Sequence, residues 1–450
     1  MHRRTFLKTA AAATAMPLAA ATTRRPNIIV ILADDLGFAD VGFEGAKDIP
    51  TPYIDRLARN GLRFTNACVS HPFCSPTRAG LMTGRYQHRF GHENNPKYDP
   101  NDQVAGLPAG EITIANVLSD AGYVTGQIGK WHLGAAPKFH PLKRGFQEQF
   151  GFIGGGHDYF KADLDHPNAR EYMIPIERNG QPVAESEYLT DAFTREACSF
   201  VGRHAKDPFF LYLAYNAPHT PLQAPRAYLD RVSDIKDPIR RSYAAMICAL
   251  DDGVGRLAAM LEVLKLENDT LIFFLSDNGG PTPVTHADNH PFRGYKGQVY
   301  EGGIHVPFVM KWPGQLPAGE TYGSPIISLD IFSTAAAVAG AQVPGDRIID
   351  GVNLMPHITG KGSQPPHDKL YWRTGGGQSF AVRQGNWKLV KIGNRTELYD
   401  LEADVGESKD AATTQPEILQ RLETARQSWH RQMIPPLFES PEPAPAKKKN

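Results

Sequence analysis

Only four cysteines stand in these 450 residues, Cys68, Cys74, Cys198 and Cys248, too few to staple a fold together with disulfides. Net charge is absent too. Lys and Arg number 48, as do Asp and Glu, so no global field draws the chain to nucleic acid or an anionic membrane. Any attraction for an anionic ligand has to be local. Beyond the N-terminal leader, no stretch approaches the roughly 18 apolar residues a membrane span needs, and no internal repeat is visible. What the chain does have is length, enough for a large core, read as one large domain plus a small one.

The leader carries Arg3-Arg4-Thr5-Phe6-Leu7-Lys8, then an alanine-rich, weakly apolar run ending in Ala19-Ala20-Ala21. A twin arginine, a modest apolar region and small residues before a cleavage point predict a Tat-type export signal over residues 1–22. The alternative is a disordered basic tail. Tat machinery exports folded protein, so any change to a cysteine would precede export, and the expected destination is the periplasm or the medium.

Asn27 to Ala33 is an apolar run rich in β-branched residues, which reads as a buried parallel strand, and it ends at Asp34-Asp35. Polar residues at such a strand end mark the functional edge of an open α/β sheet. Pro208 to Tyr215 and Thr270 to Leu275 read as further strands, and Tyr123 to Ile128 as extended. Helices are expected from Thr51-Pro52 to about Asn60, over Ile112–Ala121 and Leu189–His204, and over Ser242–Leu264. The alternation argues for a mainly parallel sheet sandwiched by helices. Composition changes near residues 360–368, and four short strands with a helix from Pro416 then predict a small antiparallel C-terminal domain. The expected division is a catalytic domain over 23–362, the small domain over 363–438 and a Pro/Ala/Lys-rich disordered tail over 439–450.

Cys74-Ser75-Pro76-Thr77-Arg78 sets a thiol, a proline and an arginine at a spacing few chemistries want, and it continues Ala79-Gly80-Leu81-Met82-Thr83-Gly84-Arg85. Read locally, Ser75 is a helix N-cap, Pro76 the first helical position and Gly84 the stop. Cys74 then lies just outside a helix N-terminus, where backbone N–H groups favour an anion, with Arg78 reaching back. A phosphatase-like thiolate wants Cys-x5-Arg, whereas here the spacing is Cys-x3-Arg. Alone, Cys74 reads equally as a buried small hydrophobe. The whole string, however, resembles the first signature of the type I sulfatases. In that family the cysteine is oxidised to formylglycine, an aldehyde whose hydrate is the nucleophile.

Other motifs resemble the same family in order. Gly122-Tyr123-Val124-Thr125-Gly126-Gln127-Ile128-Gly129-Lys130-Trp131-His132 is similar to its second signature, with Lys130 and His132 alternating on an extended segment so that both can face one pocket. The resemblance implies that Lys130 binds sulfate and that His132 contacts the formylglycine hydroxyl. It places His219, in Asn216-Ala217-Pro218-His219, near the leaving group and Lys296, in Arg293-Gly294-Tyr295-Lys296-Gly297, on the sulfate. Asp34, Asp35, Asp277 and Asn278 offer oxygen ligands only, suited with one oxygen from a modified Cys74 to Ca²⁺ or Mg²⁺ rather than zinc. The resemblance implies one such ion there, usually calcium. It also implies the alkaline-phosphatase-like α/β fold and a formylglycine-generating maturation enzyme as partner. Many members carry arginine where this chain has His305, which weakens a structural ion pair.

The chemistry so implied is hydrolysis of an organic sulfate ester, on a carbohydrate or other sulfated small molecule. The metal, Arg78, Lys130 and Lys296 neutralise the sulfate, His219 or Lys296 protonates the leaving alcohol, and His132 deprotonates the second hydroxyl. The turn Gly154-Gly155-Gly156-His157-Asp158-Tyr159 either lines a sugar subsite, with His157 as a contact, or is a plain structural loop. Tyr371-Trp372-Arg373 either reaches over the pocket or packs in the core. One rival is a phosphate or phosphonate monoester hydrolase of the same fold, for which no second acid/histidine cluster is visible to hold a second metal. The other is a non-catalytic sulfated-glycan binding protein in which Cys74 stays unconverted.

Overall fold

The computed structural model describes residues 24–163, 171–360, 362 and 364–439. The expected export signal and the tail beyond residue 439 lie outside them. Twelve strands precede the linker: β1 (Asn27–Ala33), β2 (Leu62–Phe64), β3 (Ala67–Cys68), β4 (Val124–Lys130), β5 (Glu148–Phe152), β6 (Ile176–Arg178), β7 (Gln181–Val183), β8 (Phe209–Ala214), β9 (Thr270–Ser276), β10 (Phe308–Lys311), β11 (Glu320–Tyr322) and β12 (Ile326–Ile327). Ten of them form one sheet in the order β11-β2-β10-β9-β1-β8-β4-β5-β6-β7, while β3 pairs with β12. The central pairs β9-β1, β1-β8, β8-β4 and β4-β5 are all parallel. Every residue of β1, β8 and β9 is buried, as expected of parallel strands covered on both faces.

The helices are α1 (Pro52–Arg59), α2 (Cys74–Thr83), α3 (Ile114–Asp120), α4 (Leu189–Arg203), α5 (Arg226–Arg231), α6 (Pro238–Val263), α7 (Thr282–Thr285), α8 (Glu301–Ile304), α9 (Asp330–Ala339), α10 (Met355–Ile358) and α11 (Pro416–His430). α1, α4 and α5 pack on α6, and α2 and α3 pack on α9. α6 starts at Pro238, earlier than the expected Ser242, because Asp237 caps it by accepting from the Ile239 and Arg240 N–H groups.

After the linker, β13 (Leu370–Thr374), β14 (Ser379–Gln384), β15 (Trp387–Ile392) and β16 (Arg395–Asp400) form an antiparallel sheet in chain order. On one side α11 closes over a small core of Val382, Leu389, Leu398 and Leu422. Trp372 belongs to the main core and donates its indole N–H to the Val69 carbonyl at 2.7 Å. Neither it nor Arg373, which is buried against Glu93, reaches over the pocket. Lys388 lies within 2.8 Å of both Glu301 and Glu407, joining this sheet to α8 through a buried charge cluster. His305 stands in that cluster, 2.9 Å from Glu301, where burial keeps the imidazole neutral. Its link to Glu301 is therefore a hydrogen bond, and the charge pairing comes from Lys388.

Candidate active site

Four neighbouring strands finish at one level. Ala33 of β1 lies opposite Ser276 of β9, Leu32 opposite Ala214 of β8, and Gly129 of β4 opposite Ala214. The chain leaving them therefore delivers Asp34-Asp35, Asp277-Asn278, Asn216 to His219 and Lys130 to His132 to a single sheet edge. Gly129 makes this possible for β4. Its φ is +104°, and a methyl built there would sit 1.9 Å from the Ala214 carbonyl oxygen, so no other residue fits. The first turn of α2 brings in Cys74, and the loop before α8 brings in Lys296.

Charge at this edge is balanced pair by pair. Lys130 Nζ lies 2.5 Å from Asp34 Oδ2, Lys296 Nζ 2.6 Å from Asp35 Oδ1, and Arg78 Nη2 2.8 Å from Asp277 Oδ2. Burial opposes charge on both lysines, but the facing carboxylates outweigh it and hold both ammonium groups protonated. Arg78 also gives Nε to Asp277 at 3.1 Å and Nη1 to the Lys130 carbonyl at 3.1 Å. Being fully buried and so committed, it holds Asp277 in place from beneath the site.

Cys74 is 1% exposed, with Sγ 3.4 Å from Asp34 Oδ1 and 4.0 Å from Asp35 Oδ1. Burial first, then Asp277 and Asp34, push its thiol well above the usual range, so a thiolate is disfavoured. It is the first residue of α2, not a residue outside the helix, and Phe73 occupies the cap position. The expected N-cap role of Ser75 is not realised, because its hydroxyl is spent elsewhere. It donates to the His132 carbonyl at 2.5 Å and meets His92 Nε2 at 2.6 Å. That contact fastens His132, whose φ of +60° is unusual outside glycine.

The two histidines are buried and neutral. His219 has Nδ1 2.7 Å from the Thr220 carbonyl, which fixes the proton there and turns Nε2 toward Asp35 Oδ2 at 3.7 Å. Burial drops its pKa to about 3, Asp35 opposing and Lys296 and Lys130 adding to the fall. His132 is held far below its normal range by burial, Lys130 and Arg78, and its Nδ1 has no partner among the described residues. His157 is placed differently from its expected role. It is 1% exposed with Nδ1 2.5 Å from the Asp158 carbonyl and Nε2 2.7 Å from the Ile174 carbonyl, so it shapes its own loop and does not face a substrate.

The donor set fits a hard divalent cation. The fit rests on the oxygens of Asp34, Asp35, Asp277 and Asn278. Cys74 Sγ and a His219 nitrogen also lie within 4.8 Å of the Asp34 and Asp35 carboxylates, and of these only an oxygen in place of the sulfur would suit such an ion. Asn278 Oδ1 is fully buried with no hydrogen-bond partner, while its Nδ2 donates to Asp35 Oδ1 at 2.7 Å. An orphaned carbonyl oxygen beside three carboxylates is the expected mark of a cation ligand. A second acid/histidine cluster does exist, Cys68 with Glu301 and His305, contrary to the sequence reading. The Lys388 ammonium already fills it, 2.7 Å from Glu301.

Two tyrosines support the site, Tyr159 from the glycine turn singled out in the sequence and Tyr243 without any sequence signal. The Tyr159 hydroxyl reaches the Asn216 and His219 carbonyls at 2.5 and 2.8 Å. The Tyr243 hydroxyl lies 2.9 Å from the Asp35 carbonyl and 2.9 Å from Asp40 Oδ2. A cavity of about 800 Å³ lined among others by Glu44, Lys47, Asp48, Arg240, His290 and Tyr295 opens to solvent, but none of the site residues lines it.

A family model described as sulfatase matches residues 26–341, and one described as N-sulphoglucosamine sulphohydrolase, C-terminal, matches residues 293–431. The N-acetylgalactosamine-6-sulfatase of Mus musculus is 36% identical over 393 residues, covering 82% of this chain and 73% of the relative. The crystal structure of Ps i-CgsB in complex with k-i-k-neocarrahexaose aligns with a TM-score of 0.88 at 41% identity, over 92% of this chain and 94% of the other. A phosphonate monoester hydrolase from Silicibacter pomeroyi aligns with a TM-score of 0.69 at 19% identity, over 91% of this chain and 96% of the other, a likeness of fold alone.

Proposed function

The chain belongs to the sulfatase family and is a sulfuric ester hydrolase, and from that premise we propose that it removes sulfate from a sugar within a sulfated oligosaccharide. In this reading Cys74 is converted to formylglycine, and one Ca²⁺ or Mg²⁺ is held by Asp34, Asp35, Asp277 and Asn278. The observation that carries it is the position of Cys74 Sγ, at the focus of two strand-end acids and His219. The carbohydrate assignment is supported by the name of the Mus musculus relative, an N-acetylgalactosamine-6-sulfatase, and by the neocarrahexaose in complex with Ps i-CgsB.

A bound cation would supply Lewis-acid charge, and a formylglycine hydrate would supply a hydroxyl nucleophile with a second hydroxyl for release of sulfate. The remaining work falls to this chain's side chains. A sulfate monoester shields its sulfur behind anionic oxygens, so attack requires fixed positive charge around them. Lys130 and Lys296 supply it at the pocket, and Arg78 keeps Asp277 aimed. His132, neutral and with Nδ1 unpartnered, would be placed to take a proton from a hydroxyl of formylglycine at position 74. His219 lies on the side of the departing oxygen. Its Nε2 must first gain a proton, which the negative charge of an arriving sulfate favours.

Maturation before folding is supported by the burial of Cys74, since a side chain 1% exposed is out of reach of a modifying enzyme. Export by the leader at residues 1–22 completes the proposal. The test is release of inorganic sulfate from a carrageenan hexaose and from N-acetylgalactosamine 6-sulfate, set beside phosphate and phosphonate monoesters. Faster turnover of a phosphonate than of either saccharide would favour the rival hydrolase. Binding of the hexaose with no turnover of any ester would favour the silent glycan binder.

A further inference from the structure

The loop after β5 leaves two side chains at the mouth of the site that no motif announced. Residues Glu171–Met173 form a short turn of 3₁₀ helix, fastened from behind. The Asp158 N–H donates to the Tyr172 carbonyl at 2.8 Å, and His157 Nε2 holds the Ile174 carbonyl. Ile174 is buried at 1%, which anchors the turn in the core and leaves Glu171 and Tyr172 on its outer side.

Both side chains stand against catalytic histidines. Gly155 is the gauge for the first. A methyl built there would lie 2.7 Å from His132 Nε2 and 3.3 Å from Glu171 Oε1, so the imidazole and the carboxylate flank the same spot. Among the described residues no basic side chain forms an ion pair with Glu171, although Lys130 and Lys97 are close enough to act on its charge, and the Gly155 N–H donates to it. Tyr172 packs on Gly156, and its ring sits edge-on to His219 with centroids 6.3 Å apart at 70°. It remains 38% exposed.

We propose that Glu171 and Tyr172 recognise the sugar ring that carries the scissile sulfate, Glu171 accepting a hydrogen bond from a hydroxyl beside the ester and Tyr172 covering one face of the ring. The inference rests on the sulfatase reading of the site. An ester whose sulfur lies over Cys74 and whose leaving oxygen lies toward His219 must extend its ring between these histidines and the mouth, where the two side chains stand. A carboxylate is an acceptor only, so it selects a hydroxyl or amide N–H and repels a second sulfate at that position. Tyrosine offers an apolar face with a polar tip, which suits a sugar ring.

A purely structural role for Glu171, bracing the glycine turn through the Gly155 N–H, predicts something different. A brace affects every substrate, whereas a sugar contact affects only substrates with a sugar. The experiment measures kcat and KM of the mature full-length protein, Glu171→Gln and Tyr172→Ala on a carrageenan hexaose, N-acetylgalactosamine 6-sulfate and 4-nitrophenyl sulfate. The expected result for Glu171→Gln is a loss of about 10- to 100-fold in kcat/KM for the saccharide, mostly through KM, with the aryl sulfate unchanged. Tyr172→Ala raises KM for the saccharide and, since an aryl ring would stack in the same place, for the aryl sulfate as well. Equal losses on saccharide and aryl sulfate in Glu171→Gln, or none on the saccharide in either variant, would overturn the proposal. So would aryl sulfate turnover by the parent protein with neither saccharide hydrolysed. If the parent hydrolyses no sulfate ester at all, the underlying reading fails instead, and the two failures are told apart.

Discussion

His219 faces Asp35 and Lys130 faces Asp34, the two acids beside Cys74, and their proposed roles should be separable by leaving group. Lys130, 2.5 Å from Asp34 and fully buried, acts by charge on sulfate, whatever alcohol departs. His219, with Nε2 turned into the pocket, matters if it delivers a proton to that alcohol. A nitrophenolate leaves without help and a sugar alkoxide does not. His219→Ala should therefore lose about 10²–10⁴-fold on a sulfated sugar and far less on an aryl sulfate, while Lys130→Ala damages both alike. Equal losses for His219→Ala would move the acid role to Lys296. Residues of this kind were legible because they sit in short strings, and Cys74, Lys130, His132 and His219 were all named from such strings. Glu171, Tyr172 and Tyr243 were not, since each reaches the site through packing between distant segments. Tyr159, named in the glycine turn as part of a sugar subsite or a plain loop, instead braces the Asn216 and His219 carbonyls. Ser75 was misread for the same reason, its hydroxyl being claimed by the carbonyl of a residue far along the chain.

Strand ends would hold the proposed cation. Asp34 and Asp35 leave β1, Asp277 and Asn278 leave β9, and parallel register brings the two pairs face to face, so that the Asp35 N–H donates to Asp277 Oδ1 at 3.2 Å. The set holds oxygen donors only, so elemental analysis should find one Ca²⁺ or Mg²⁺ per chain, and exhaustive chelation should abolish turnover until the ion is restored. Stoichiometric zinc, or full activity after chelation, would contradict it. Asp277→Asn should lose the ion and also weaken the pairing of the buried Arg78, which keeps Asp34 at 3.7 Å. The destabilisation should fall below the ~3–5 kcal/mol of a fully broken buried pair and be visible in the melting curve. These strands were readable from their β-branched runs, because a parallel strand buried on both faces has to be apolar throughout. Helix starts were harder. α6 begins in an exposed polar turn, before its apolar period is established. For α1 the acceptor of the first N–H groups is Asp251, which binds the Tyr53 and Ile54 N–H groups from across the fold, while the Thr51 expected to cap it does not.

At the scale of the molecule, neutrality hides a strongly charged centre and a charged seam. The C-terminal sheet is tied to the rest by buried pairs, Lys388 to Glu301, Arg373 to Glu93 and His367 to Asp330. His367 Nε2 lies 2.8 Å from Asp330 Oδ1, and although burial lowers its pKa, the Asp330 carboxylate more than compensates and raises it. A histidine with a raised folded-state pKa stabilises fully below its unfolded value near 6.5. That contribution disappears as pH rises through the higher folded value. Thermal melts should therefore show stability falling across that interval, and His367→Asn should flatten the fall. An unchanged profile in the variant would assign the pH dependence to other groups. The small antiparallel sheet was legible from the short strands that follow the change of composition near residue 360, whereas the pairs across the seam join residues too far apart in sequence to be read there.

The central claim is that position 74 works as an aldehyde and not as a thiol, and the mass of the peptide containing Cys74, from protein made in its native host, tests it most directly. The account predicts the loss that accompanies conversion of the thiol to formylglycine, in a fraction that tracks specific activity from one preparation to the next. Fully active protein with an unmodified thiol at Cys74 would contradict it.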